Sequence, residues 1–133
     1  MRNCLLCLVV GLCAGCATSI VTANSGESEG RNAQPTIEFL GFPDCPNTPV
    51  LRDNLTHALA SMGRGWTFTD TNQEPLPDGD IRRGYPTPTV LVNGRDLYGL
   101  PVPSTTSLGC RIYAGGVPGA TDLAEKLRAT ARN

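Results

Sequence analysis

The sequence predicts an α/β fold, and three observations carry that expectation. Between Thr36 and Met62 an apolar strand runs into a Pro-rich turn and then an amphipathic helix. Asn93-Gly94, the strongest short hairpin signal, sits between the strand-like runs Thr89-Val90-Leu91-Val92 and Arg95-Asp96-Leu97-Tyr98. A last helical stripe, Leu123, Leu127 and Ala131, closes the chain. Strands and helices in this succession pack as a sheet with helices laid on it.

The N-terminus reads as an export signal. Arg2 precedes Leu5, Leu6, Leu8, Val9, Val10 and Leu12, a basic start and an apolar run too short to span a bilayer as a helix. Cys4 and Cys7 lie inside that run, so their spacing is not read as a zinc or redox motif. Ala14-Gly15-Cys16 resembles the bacterial lipoprotein box, with Cys13 where a large aliphatic residue usually stands. The resemblance implies that Cys16 is lipidated and becomes the mature N-terminus, a membrane anchor. Ala17 follows instead of Asp, so the inner-membrane retention signal of lipoproteins is absent. The expected layout is a signal over residues 1–16, a polar tether over 17–34 and one folded domain over 35–133. The expected location is the periplasm or cell envelope, with plain secretion and an uncleaved anchor as the alternatives to a lipidated Cys16.

Within the domain, Ile37 and Phe39 alternate with polar neighbours, which puts them on one face of a strand over Thr36 to Leu40. Gly41, Pro43 and Pro46 break it. Thr48 is suited to cap a helix and Pro49 to begin it. Leu51, Leu55, Leu59 and Met62, widened by Ala58, form the buried stripe of that helix, and Gly63 stops it. His57, the only histidine, falls on its outer surface. Trp66 to Thr69 alternates and is expected to be the second strand. Asp70 to Gly84 reads as a solvated loop. Its acidic residues suggest a calcium loop, but Pro75 and Ile81 occupy the positions where an EF-hand needs Gly and Glu. Thr89 to Tyr98 is a β-hairpin, with Trp66 and Tyr85 as packing residues. Thr121 is expected to cap the last helix, with acidic Asp122 and Glu125 early and basic Arg128 and Arg132 late.

Composition narrows the function. The net charge is −1 and no Lys/Arg run occurs, which argues against nucleic acid as a partner. Of six cysteines only Cys45 and Cys110 lie in the expected domain, too few for a disulfide-dense scaffold. Cys45 stands just before a helix, where unpaired N–H groups and the helix dipole favour a thiolate. The Pro-rich turn around it is expected to leave it accessible. Nothing in the sequence calls for a cofactor.

Taken together, Cys45-Pro46-Asn47-Thr48, Thr87-Pro88-Thr89 and Val90-Leu91-Val92-Asn93-Gly94 resemble the thioredoxin and glutaredoxin superfamily in order and spacing. The resemblance covers about Thr36 to Arg132. It implies a central mixed sheet with flanking helices, a cis Pro88 beside the reactive Cys45, and a substrate peptide pairing with the backbone at Thr87 to Thr89. The chain departs from the usual C-x-x-C in having Thr48 at the second position. Thr48 is then a candidate hydrogen-bond donor to the Cys45 thiolate, and a mixed disulfide on Cys45 needs another resolver. That resolver is Cys110 or an external thiol, and the partner is a thiol or disulfide of a protein or small molecule. Gly109 to Tyr113 adds a resemblance to small thioredoxin-like proteins, some associated with mercury resistance. Two alternatives stay open: binding of Hg or Cu as a soft metal through Cys45 and Cys110, and a non-catalytic adaptor with a structural Cys45–Cys110 disulfide.

Overall fold

The computed structural model describes residues 34–132. The expected signal, the Cys16 lipidation site and all of the expected tether except Gln34 lie outside the described residues. The elements are β1 (Ile37–Gly41), α1 (Asn47–Met62), β2 (Thr69–Asn72), a 3-10 turn (Ile81–Gly84), β3 (Thr89–Val92), β4 (Arg95–Asp96) and α2 (Ala120–Thr130). The strands form one mixed sheet in the order β2-β1-β3-β4. β1 runs parallel to β2 and antiparallel to β3, and β3 runs antiparallel to β4. Among the described residues, no helix is long and apolar enough to cross a membrane.

Side-chain alternation divides the sheet into two faces. Ile37 and Phe39 of β1 and Val90 and Val92 of β3 meet Leu51, Leu55, Ala58 and Leu59 of α1 and Leu123, Ala124 and Leu127 of α2. Both helices therefore cover the same core, each fully buried leucine contributing roughly 1.5–3 kcal/mol. On the opposite face Leu40, Leu91 and Tyr85 form a smaller cluster. The α1 stripe lies where the 3.6-residue period put it, Met62 packs at its end, and His57 is exposed. Asn93 (φ 50°) and Gly94 (φ 77°) adopt the left-handed turn that their dipeptide favours, and β3 returns through it to β4.

Several elements differ from the sequence expectation. The second strand is Thr69–Asn72 and not Trp66 to Thr69. β2 is a polar edge strand held by parallel pairing to β1, so it shows no apolar alternation. Trp66 and Phe68 belong to the approach segment, where they pack half-buried against the core. The return strand ends at Asp96, because the Asp96 carboxylate accepts from the N–H groups of Tyr98 (2.9 Å) and Leu100 (3.0 Å) and turns the chain. Thr48 does not cap α1: Pro46 holds the N-cap position, and the Thr48 hydroxyl donates to Phe42 O at 3.0 Å. Thr121 does not cap α2, which starts after Gly119, and Ala124 replaces Ala131 in its buried face.

Asp70 and Asn72 fall in β2 instead of the expected loop. Asp80 caps the 3-10 turn, accepting from Arg82 N at 3.0 Å and from Arg82 Nε at 3.0 Å. Arg82 also reaches Glu38 of β1 at 2.9 Å. These bonds hold the Asp80 carboxyl down at about 2, the Arg82 side chain contributing most.

Candidate functional site: a cysteine pair around Thr87

Cys45 sits in the turn between β1 and α1. Its N–H donates to Phe42 O at 3.3 Å, and its carbonyl accepts from Thr48 N at 3.0 Å. The turn folds inward, so Cys45 is fully buried, contrary to the accessible position expected of a Pro-rich turn. Its thiol donates to the Thr87 carbonyl oxygen at 3.4 Å. Thr48 is also buried, with its hydroxyl committed to Phe42 O.

The Thr87–Pro88 peptide bond is cis. Thr87, Pro88 and Thr89 are all buried. The backbone of Thr87 is paired by this chain's own segment: Thr87 N donates to Gly109 O at 2.7 Å, and Arg111 N donates to Thr87 O at 2.6 Å. Cys110 is thereby bridged in parallel to Thr87. One oxygen, Thr87 O, accepts both the Cys45 thiol and the amide that follows Cys110. This arrangement brings together two cysteines far apart in sequence.

The two cysteines are free thiols in unequal settings: Cys45 is buried and Cys110 exposed. The Cys110 thiol is pushed up from its ordinary value, first by a side-chain hydrogen bond with Cys45, then by desolvation and by the Cys45 charge. Beside Cys110 opens a cleft of about 710 Å³, lined by Tyr98, Leu100, Ile112 and Tyr113 among others.

Three supporting features escaped the sequence reading. Arg111 and Asp96 form a buried ion pair, the second contact Nη2–Oδ1 at 3.1 Å, and Arg111 Nη1 also donates to the Thr89 hydroxyl at 2.9 Å. The guanidinium lies 4.4 Å from the Tyr113 ring centroid, and the Tyr113 hydroxyl donates to Pro88 O at 2.8 Å. Gln73, fully buried, donates to Arg82 O (2.7 Å) and Tyr85 O (2.9 Å) and accepts from the Thr87 hydroxyl. Arg111 and Gln73 thus hold Thr87 to Thr89 and Cys110 from two sides. The one sequence signal was a lone Arg between Cys110 and Ile112; Gln73 gave none, since a single polar residue after a strand is ordinary.

Burial presses the Tyr113 hydroxyl up to about 12, with Arg111 opposing and Asp96 adding to the rise. Among the described residues no three of His, Cys, Asp and Glu gather into a metal cage. The arrangement's distinctive chemistry is that of two neighbouring sulfurs, one inside and one out. Comparison of the chain with protein-family models, curated proteins and solved structures finds no match.

Proposed function

We propose that this chain is an exported, thioredoxin-like protein whose Cys45–Cys110 pair carries out thiol–disulfide chemistry. The reading rests on one observation: Cys45 Sγ and the Cys110 peptide converge on Thr87 O. The sheet order β2-β1-β3-β4, with its parallel β1/β2 pair and a cysteine ahead of α1, supports the thioredoxin-like fold. In the reaction, two protein thiols give up two electrons and two protons to a substrate disulfide. The products are a Cys45–Cys110 disulfide and two substrate thiols, and the reverse reaction oxidises a substrate dithiol. Thr87, Pro88 and Thr89 are the frame that holds the pair, and Thr48 fixes the turn that carries Cys45. Lipidation of Cys16 would tether the domain in an oxidising compartment, where such a pair cycles; mass spectrometry of the membrane fraction tests it, and an unlipidated chain beginning at residue 1 would exclude it.

The test of the function is mild oxidation of the reduced protein with a thiol–disulfide buffer, followed by peptide mapping. A reversible bond joining the Cys45 and Cys110 peptides is expected. Failure of that bond to form, or a bond that resists dithiothreitol, would refute redox cycling; the second outcome indicates a structural disulfide. The same convergence suits a second reading, since paired thiolates select soft ions. In that case the reduced protein binds Hg(II) or Cu(I) at one equivalent through Cys45 and Cys110.

A further inference from the structure

We infer, on the thiol–disulfide reading above, that outside thiols and disulfides exchange at the Cys110 sulfur, and that Cys45 is an inner sulfur reached only through Cys110. The sequence places its emphasis on Cys45, the cysteine at the helix start; the geometry points to the other one.

Exchange at sulfur is an in-line displacement through a mixed disulfide. The attacked or attacking sulfur therefore needs an open face for an incoming group. Cys45 has none: it is 0% exposed, its thiol is turned onto Thr87 O, and buried Thr48 and Pro88 belong to the same closed turn region. Cys110 is exposed on the rim of the cleft, beside Ile112, which is 95% exposed. The cleft gives the substituents of an incoming sulfur room beside Cys110. Arg111, anchored on Asp96, fixes the residue next to it, so the sulfur is presented from a held backbone and not from a loose loop.

The steps balance in both directions. Reduced, the Cys110 thiolate attacks one sulfur of an outside disulfide R–S–S–R′ and expels R′–S⁻, which takes up a proton. The Cys45 thiolate then attacks Cys110 Sγ, closes the internal disulfide and expels R–S⁻, which is protonated in turn. Two protein thiols are oxidised and one outside disulfide is reduced. Oxidised, an outside thiolate attacks Cys110 Sγ and expels Cys45 as thiolate, which takes up a proton. A second outside thiolate then attacks the outside sulfur of the adduct, forms an outside disulfide and expels Cys110 as thiolate, which is protonated in turn.

Glutathione disulfide is the probe, applied to the reduced full-length protein under native conditions and followed by acid quench and peptide mass mapping. In Cys45→Ala, with Cys45→Ser as the second variant if the first does not fold, glutathione is expected to remain on Cys110. In Cys110→Ser, Cys45 is expected to stay unmodified until the protein is denatured, a difference in rate of at least about tenfold. In the unaltered protein, early quench is expected to show glutathione on the Cys110 peptide and late quench the internal bond. Adduct on Cys45 in the unaltered protein, or native labelling of Cys45 in Cys110→Ser at a rate matching Cys110, would overturn the inference. Persistent adduct on Cys110 with no internal bond would instead refute the dithiol function while leaving Cys110 as the reacting sulfur.

Discussion

Cys110 is an exposed thiol held above its ordinary value by a hydrogen bond with Cys45, by desolvation and by the Cys45 charge. Removing the neighbour removes the first and the last of these causes. Alkylation of Cys110 followed across pH is therefore expected to show a midpoint above the ordinary thiol value, and a lower midpoint in Cys45→Ala. An unchanged midpoint would mean that the two sulfurs do not communicate. The Arg111–Asp96 pair sets a second test. Both side chains are buried, and Asp96 is the only counter-charge that Arg111 meets among the described residues. Asp96→Asn keeps the shape and removes the charge, leaving a desolvated guanidinium, which typically costs about 3–5 kcal/mol. Denaturant unfolding is the measurement, and a loss below about 1 kcal/mol would mean that solvent reaches the guanidinium.

At the scale of elements, the turn between β2 and β3 leaves no room for a side chain at Gly84. Gly84 closes the 3-10 turn, and an added Cβ would fall on the Thr105 carbonyl oxygen and within 2.6 Å of Pro103 Cβ. Backbone cannot swing aside as a flexible side chain does, so Gly84→Ala is expected to destabilise by about 1–3 kcal/mol, read as a lower urea midpoint. Gly79→Ala meets open space and serves as the control. The same turn shows what a sequence reveals and what it hides. β1, α1 and the Asn93-Gly94 hairpin were legible because each is specified locally, by alternation, by a 3.6-residue stripe or by a left-handed dipeptide. β2 was displaced because a short polar edge strand takes its conformation from its partner, β1. The caps at Thr48 and Thr121 were misplaced because the Thr48 hydroxyl donates to Phe42 O instead of accepting from a helix N–H, and because α2 already starts after Gly119, which puts Thr121 inside its first turn. Cys45 was legible as a candidate, but its burial was not, since burial depends on how the Thr87 and Cys110 segments close over it.

Across the whole molecule, a Cys45–Cys110 bond would close a loop of roughly 65 residues, which in the chain-entropy account stabilises by up to about 4 kcal/mol. The oxidised protein is accordingly expected to unfold at higher urea than the reduced one. Equal midpoints would mean that strain in the oxidised fold cancels the gain. High pH should weaken the fold. Tyr85, Tyr98 and Tyr113 are all raised above the usual 10.0, chiefly by burial, Tyr113 to about 12. A raised acid stabilises the fold fully below its ordinary value and loses that contribution as pH climbs through the folded one. Stability tied to Tyr113 should therefore fall between pH 10 and about 12, and less so in Tyr113→Phe. The α/β class and the helix-on-sheet layering were legible from the order of elements. The meeting of residues 45, 87 and 110 was hinted at only by family resemblance, because no local pattern encodes a contact between distant loops.

The carbonyl of Thr87 has two donors, the Cys45 thiol and the Arg111 amide. Oxidation of Cys45 consumes the first and leaves the second alone on that oxygen. The Arg111 amide proton thus becomes a spectroscopic gauge of the sulfur pair. Its resonance should move downfield and its exchange with solvent should slow when the disulfide forms. One backbone signal would then report, without dye or label, how much of the protein in a sample is oxidised.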